Sequence, residues 1–167
     1  EQIKKLDGSK FNFSIDSLID TLIRYKMKGS FAGLKENNPE KIIEKILEEN
    51  KIIYTRGDVE GVERRMDFII PTAENPEILI EVSKLKTTSS GQGDKAKTEG
   101  KIAEQIALNF PQCKFIGFID GIGWYVRQGD LMRMVQANVE VFTFEKSELT
   151  RFTDFLKKNL SSEYAKK

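Results

Sequence analysis

Apolar residues recur at helical spacing in five stretches of this chain and at strand spacing in five others. Over residues 14–28, Ile15, Leu18, Ile19, Leu22 and Ile23 share one helical face, with Ser14 as the N-cap and Gly29 as the stop. FAGLKENNPE at 31–40 reads as a loop that delivers Pro39 to the first turn of a second helix over about 39–50. There Ile42, Ile43, Ile46 and Leu47 form the apolar stripe, and Glu40, Glu44 and Glu48 form an acidic ridge beside it. Three strand-like runs follow: IIYT at 52–55, RMDFII at 65–70 and EILIEVS at 77–83. The turn signals Arg56-Gly57-Asp58 and Glu74-Asn75-Pro76 between them predict an antiparallel meander. Residues 87–93, TTSSGQG, are too rich in Gly and Ser for a regular element and predict a mobile loop.

Helical spacing resumes near Asp94, a good N-cap, with Ala96, Ile102, Ile106 and Ala107 inward, and ends before Pro111. CKFIGFI at 113–119 predicts a buried strand, 120–124 a turn, 128–136 a short helix, 139–144 a strand and 146–158 a helix with Leu149, Phe152 and Phe155 inward. The resulting order begins αβββαβ. A helix that crosses over to a further strand implies a mixed sheet covered on its faces, so the expected class is α/β. Residues 1–30 read as an N-terminal helical segment and 31–167 as the main body of one compact domain.

Composition narrows the chemistry. The chain has 167 residues, about one domain's worth, and its 27 Lys and Arg balance 26 Asp and Glu to a net charge of +1. A polyanion must therefore be held by a local patch. With no His and one Cys, disulfide frameworks, Cys/His zinc sites and Ser-His-Asp triads are excluded. No apolar run reaches the length of a membrane span and no signal-peptide core is present, so a cytoplasmic protein without membrane attachment is expected. The chain opens at Glu1 rather than Met, which leaves room for a segment upstream.

Two carboxylates stand out because they interrupt apolar strands. Asp67 lies among Met66, Phe68, Ile69 and Ile70; Glu81 lies among Ile78, Leu79, Ile80 and Val82. A buried carboxylate costs several kcal/mol unless it is paired or ligates a cation. Two of them in neighbouring strands want either a shared cation or local partners, for which Arg64 and Arg65 are at hand. A hard cation such as Mg²⁺, held by one or two carboxylates, water and substrate phosphate, fits an inventory without His or Cys clusters. Glu40 or Glu44 is the candidate for an additional ligand, against the alternative of a solvated face paired with Lys41 and Lys45. Residues 84–101 carry Lys84, Lys86, Lys95, Lys97 and Lys101 against Asp94 and Glu99, a local excess of +3. That suits phosphate contact, with backbone N–H groups around Ser89 and Ser90 and the N-terminus of the following helix as neutral donors, and with Gln92 able to read a base edge. The alternative is a surface loop with solvated lysines. Trp124, the single Trp, follows a glycine turn and is either a stacking platform for a base or a plug at the edge of the core.

The run D-x(13)-E-x-S-K, from Asp67 to Lys84, followed by a basic loop and a helix, resembles the PD-(D/E)xK nuclease core over roughly residues 39–120. Three segments, FAGLKENNPE at 31–40, EVSKLKTTSSGQGDKAKTEG at 81–100 and FIGFIDGIGW at 115–124, are similar in pattern to type II restriction endonucleases of the DpnII kind. This resemblance implies a restriction-endonuclease-like fold and a Mg²⁺-dependent, site-specific endonuclease of a restriction-modification system. It also implies double-stranded DNA as substrate, Asp67 and Glu81 as metal ligands, products with 3′ hydroxyl and 5′ phosphate ends, and a homodimer for palindromic targets. The family places a lysine two residues after the Glu to act on the attacking water, but here that position is Ser83. The amine is therefore open between Lys84, Lys95 and Lys97, unless Ser83 itself orients the water. Arg64, Arg65, Lys86, Ser89, Ser90, Gln92 and Lys95 are the expected DNA contacts. A structure-selective nuclease such as a junction resolvase, and a non-catalytic DNA-binding module, are the competing expectations.

Overall fold

A computed structural model describes residues 38–84, 92–121, 123–124 and 128–161. The predicted helix at 14–28 and residues 87–91 of the predicted loop at 87–93 lie outside these residues, while Gln92 and Gly93 of that loop are helical. Helix α1 spans Pro39–Glu49, strands β1, β2 and β3 span Thr55–Val59, Val62–Pro71 and Pro76–Lys84, and helix α2 spans Gln92–Asn109. Strand β4 (Lys114–Asp120), helix α3 (Gln128–Ala137), strand β5 (Glu140–Phe142) and helix α4 (Lys146–Asn159) complete the order. The αβββαβ succession is therefore present, with one further αβα passage. Among the described residues no helix is long and apolar enough to cross a membrane.

The five strands form one mixed sheet in sequence order. β1, β2 and β3 are antiparallel neighbours, while β4 runs parallel to β3 and β5 parallel to β4. Helices α1 and α4 cover one face: Ile43, Leu47, Phe152 and Leu156 pack on Phe68, Ile70, Ile78, Ile80, Ile116, Phe118 and Phe142. On the other face, Ile102 and Ile106 of α2 meet Met66, Ile69, Leu79 and Phe115, and Leu131, Met134 and Val135 of α3 close over Ile119, Trp124 and Val141. This is a three-layer α/β/α sandwich with one buried cluster on the α1/α4 side of the sheet and two on the other.

Local chemistry explains most boundaries. The Asn38 side chain accepts the Glu40 N–H at 3.0 Å and Pro39 occupies the first turn of α1, where a missing N–H costs nothing. At the other end Lys51 adopts a positive φ of 56°, with Ile52 N–H donating to Leu47 O and Lys51 N–H to Glu48 O, a Schellman closure.

Some expectations are corrected. The IIYT segment is not the first strand: Ile52 plugs the core beneath α1, and β1 instead contains the Arg56-Gly57-Asp58 run read as a turn. Gly57, at a φ of 138°, sits inside that edge strand between two register shifts, and the hairpin turns at Gly61. The last strand is only Glu140–Phe142, with Thr143 and Phe144 buried beyond its ladder. Ala107 is exposed, because the inward side of α2 is set by Ala96, Ile102 and Ile106.

Candidate active site

Strand β2 brings Asp67 to the site on an irregularity. Between the pairs Thr55↔Ile69 and Gly57↔Met66, two steps along β1 match three along β2, which is the count of a bulge across Met66–Phe68. The described β2–β3 ladder runs from Pro71↔Pro76 up to Phe68↔Ile80. The next amide of β3, Val82 N–H, donates at 2.6 Å to Oδ2 of Asp67. A side chain has thus replaced a ladder partner and is held beside Glu81.

Strand alternation puts Leu79, Glu81 and Ser83 on the α2 side of β3 and Ile80, Val82 and Lys84 on the other. Glu81 and Ser83 are buried. Across from them, α2 presents Lys95 and Glu99, four residues apart and so on one helical face. Lys95 Nζ lies 2.9 Å from Glu81 Oε1 and also donates to Val82 O at 3.4 Å. Arg64 reaches the same place from β2: its Nη1 contacts Glu99 Oε2 closely and lies 3.6 Å from Glu81 Oε1. Three acids and two cations therefore meet at the end of β3 where α2 begins. Ligands of α/β sheets bind at such carboxyl ends, and a helix N-terminus favours anions there.

The electrostatics are asymmetric. Burial pushes the Glu81 carboxyl up to about 7 despite the opposing pull of Lys95, with Asp67 and Glu99 adding to the rise. An acid so placed gains from a cation that offsets its lost hydration. Ser83 Oγ and Glu99 Oε1 are buried without hydrogen-bond partners among the described residues, so the cluster keeps unused acceptor capacity. No group of three such acids is arranged to enclose a metal ion among the described residues. A Mg²⁺ ion does not need one, since it is commonly held by one or two carboxylates with water and phosphate oxygens completing its shell. Asp67 and Glu81, with unpartnered oxygens beside them, fit that requirement.

The other candidates fall in different places. Lys84 turns to the far face, its Nζ 5.2 Å from the Phe144 ring centroid. Lys97 is exposed on α2 and Arg65 is exposed on β2. Glu44 accepts from Tyr54 Oη at 2.9 Å and pairs with Arg56 at 3.2 Å, which places it in a separate network on α1 and not with Asp67 and Glu81. Glu40 joins that network through Arg56 at 3.3 Å. Lys86, Ser89 and Ser90 lie outside the described residues, and Gln92 opens α2. Trp124 is 2% exposed and donates its indole N–H to Ser83 O at 3.2 Å, so it plugs the core under the site and offers no stacking face.

Glu99 is the residue that sequence reasoning missed. It is fully buried, and its signal was available: it falls on the inward stripe of α2 with Ala96, Ile102 and Ile106, where an acid has no reason to be unless it has a partner.

The chain matches the model of the DpnII restriction endonuclease family over residues 8–154. No curated protein and no solved structure was found to match it.

Proposed function

We propose that this chain, which belongs to the DpnII restriction endonuclease family and is thereby a DNA-cleaving hydrolase, cuts double-stranded DNA at a specific sequence in a Mg²⁺-dependent reaction centred on Asp67, Glu81 and Lys95. The observation that carries this reading is the meeting of Lys95, from α2, with Glu81 at 2.9 Å, next to an Asp67 fixed by Val82 N–H. Ser83 stands where a lysine was expected, yet an amine reaches the acid pair from the helix. A non-catalytic reading loses its motive.

Asp67 and Glu81 would hold the divalent cation, which when bound neutralises charge at the scissile phosphate and makes water more acidic. Lys95 sits where its ammonium group can stabilise negative charge growing on the phosphoryl oxygens and keep Glu81 oriented. Arg64 supplies guanidinium donors at the same place, a geometry suited to phosphate oxygens. Ser83 offers a hydroxyl with no competing partner among the described residues, available to orient the attacking water. Trp124 seals the floor of the site and excludes bulk solvent from that side. Arg65 and Lys97, both exposed, together with Lys86, Ser89 and Ser90 and with Gln92 at the start of α2, would follow the DNA. Because one such site cuts one strand, cutting both strands of a palindrome calls for a homodimer.

The test is incubation of unmethylated plasmid or phage DNA with the protein and Mg²⁺, beside an EDTA control and Glu81→Ala. Discrete fragments that vanish with EDTA and in the variant are expected, and end sequencing gives the target. Undiminished cleavage by Glu81→Ala would remove this site as the catalytic centre.

A further inference from the structure

We propose that Glu99 is a positioning residue: it tethers the Arg64 guanidinium away from the Asp67–Glu81 pair, so that the pair stays open to a divalent cation and the guanidinium stays available to DNA phosphate. The inference rests on the reading of Asp67 and Glu81 as the cation-holding pair.

The argument starts from burial. Glu99 is 0% exposed, and a carboxylate so placed must be paired or else carry a large desolvation cost. Its partner is Arg64, through Nη1 and Oε2. The same Nη1 stands 3.6 Å from Glu81 Oε1, too far for a good hydrogen bond but near enough for strong attraction. Arg64 is therefore shared unequally between two acids and held by the one on the helix. Glu81 Oε1 already has Lys95 at 2.9 Å. A second cation moving onto it would cancel the negative charge that draws a divalent ion, and a guanidinium would occupy the ion's place. Glu99 prevents this by offering Arg64 a closer, fully desolvated carboxylate. Among the described residues both contacts of Arg64 run through Nη1. The remaining donors of the fork are thus uncommitted, as a phosphate-binding arginine requires.

The placement is reciprocal. α2 sends a cation, Lys95, to the acid of β3 and an acid, Glu99, to the cation of β2, from positions four apart on one face. The second oxygen of Glu99 and the hydroxyl of Ser83 are buried and unpartnered among the described residues, so the cluster is not closed upon itself as a purely structural ion network would be.

The test uses the full chain and measures Mn²⁺ binding without DNA, by calorimetry or electron paramagnetic resonance, together with single-turnover cleavage in Mg²⁺. In Glu99→Gln, Mn²⁺ binding is expected to weaken about tenfold, the size typical of losing a residue that orients a metal's ligands, and the Mg²⁺ requirement for cleavage to rise by a similar factor. Adding Arg64→Gln to that variant should restore Mn²⁺ binding while cleavage stays low, because the phosphate donor has gone. Arg64→Gln alone should bind Mn²⁺ at least as tightly as the unaltered protein, which keeps the idea testable even where Glu99→Gln folds poorly. Equal weakening in the single and double variants would mean that Glu99 touches the metal or merely supports the fold, and would overturn the proposal. Unchanged Mn²⁺ binding in Glu99→Gln would overturn it too. Glu81→Ala separates the two levels: loss of Mn²⁺ binding there with none in Glu99→Gln removes only the role of Glu99, whereas retention there removes the site itself.

Discussion

Asp67 accepts the Val82 N–H at 2.6 Å through Oδ2, so a side-chain carboxylate stands where a strand carbonyl would ordinarily continue the β2–β3 ladder. The bond fixes the aspartate without consuming its charge, and it uses one of two oxygens. Rigid placement of this kind is what a metal-holding carboxylate needs, because small displacements of a ligand are costly.

Asp67→Asn and Asp67→Ala should separate these two contributions. Asparagine keeps an acceptor for Val82 N–H but loses the charge, so the fold and DNA binding should persist while single-turnover cleavage falls by about 1000-fold or more, a loss of several kcal/mol of charge stabilisation. Alanine should lose the same activity and in addition about 1–3 kcal/mol of stability, from the orphaned amide. Urea denaturation beside the cleavage assay measures both, and an active asparagine variant would exclude Asp67 from the chemistry.

The lysines make a sharper comparison because they lie on opposite faces. Lys95 touches Glu81, whereas Lys84 stands over Phe144. Lys95→Met should cut the cleavage rate by roughly 100-fold or more, and Lys84→Met, on the far face of β3, should leave the rate close to that of the unaltered protein. Single-turnover rates with saturating DNA decide the matter. The reverse ranking would hand the amine's role to Lys84.

Much of this architecture was legible because the signals were redundant. Pro39 after Asn38 and the apolar run through Ile78 to Val82 after Pro76 each combine a hydrophobic pattern with a capping or turn residue, and each element lies where expected. The last helix also lies where its period puts it, but it fully buries Phe152 and Leu156 while Leu149 and Phe155 are only half-buried. The first strand was misplaced because Ile52 and Tyr54 look like a strand but serve the core under α1, while an exposed edge strand such as Thr55–Val59 carries no apolar pattern. Asp67 and Glu81 could be paired from sequence, since two acids in apolar strands need a common answer. Their helix partners could not, because which α2 residues face β3 depends on how the helix rolls against the sheet. Lys95 and Lys97 differ by two positions, and only packing distinguishes an inward amine from an exposed one.

Lys51 offers a test of stability alone. It closes α1 in the left-handed region at φ 56°, which costs a residue with a Cβ roughly 1–2 kcal/mol and glycine very little. Lys51→Gly should therefore stabilise the protein by up to about 1 kcal/mol, after allowing for glycine's greater freedom when unfolded. A higher urea midpoint with unchanged cleavage is expected, and a lower midpoint would contradict the capping geometry.

The indole of Trp124 provides a built-in reporter. It is the single Trp, 2% exposed, and bonded to Ser83 O beside the site. Its emission should be blue-shifted in the native protein and move red on unfolding. Trp124→Phe keeps most of the packing but orphans a carbonyl, so a loss of about 1 kcal/mol is expected, and a lowered cleavage rate would show that the bond steadies the end of β3. Full activity with full stability would show that the bond contributes nothing.

Glu81 should make the protein's behaviour depend on pH near neutrality. Burial raises its carboxyl from 4.5 to about 7, so between those values the folded state holds a proton that the unfolded chain releases. More protons bound in the native state means that stability falls as pH rises across that window and is flat on either side as far as this group is concerned. The full shift corresponds to at most about 3 kcal/mol. Urea midpoints at pH 4.5 and pH 8 should show the fall in the unaltered protein and a smaller one in Glu81→Gln, which has no proton to lose. A divalent cation competes for the same carboxylate, so the acid limb of the cleavage profile should move to lower pH as Mg²⁺ is raised, by as much as about one unit for each tenfold increase. If the limb stays fixed while Mg²⁺ is varied over two decades, the titrating group is not one that meets the cation, and Glu81 loses its place as a ligand.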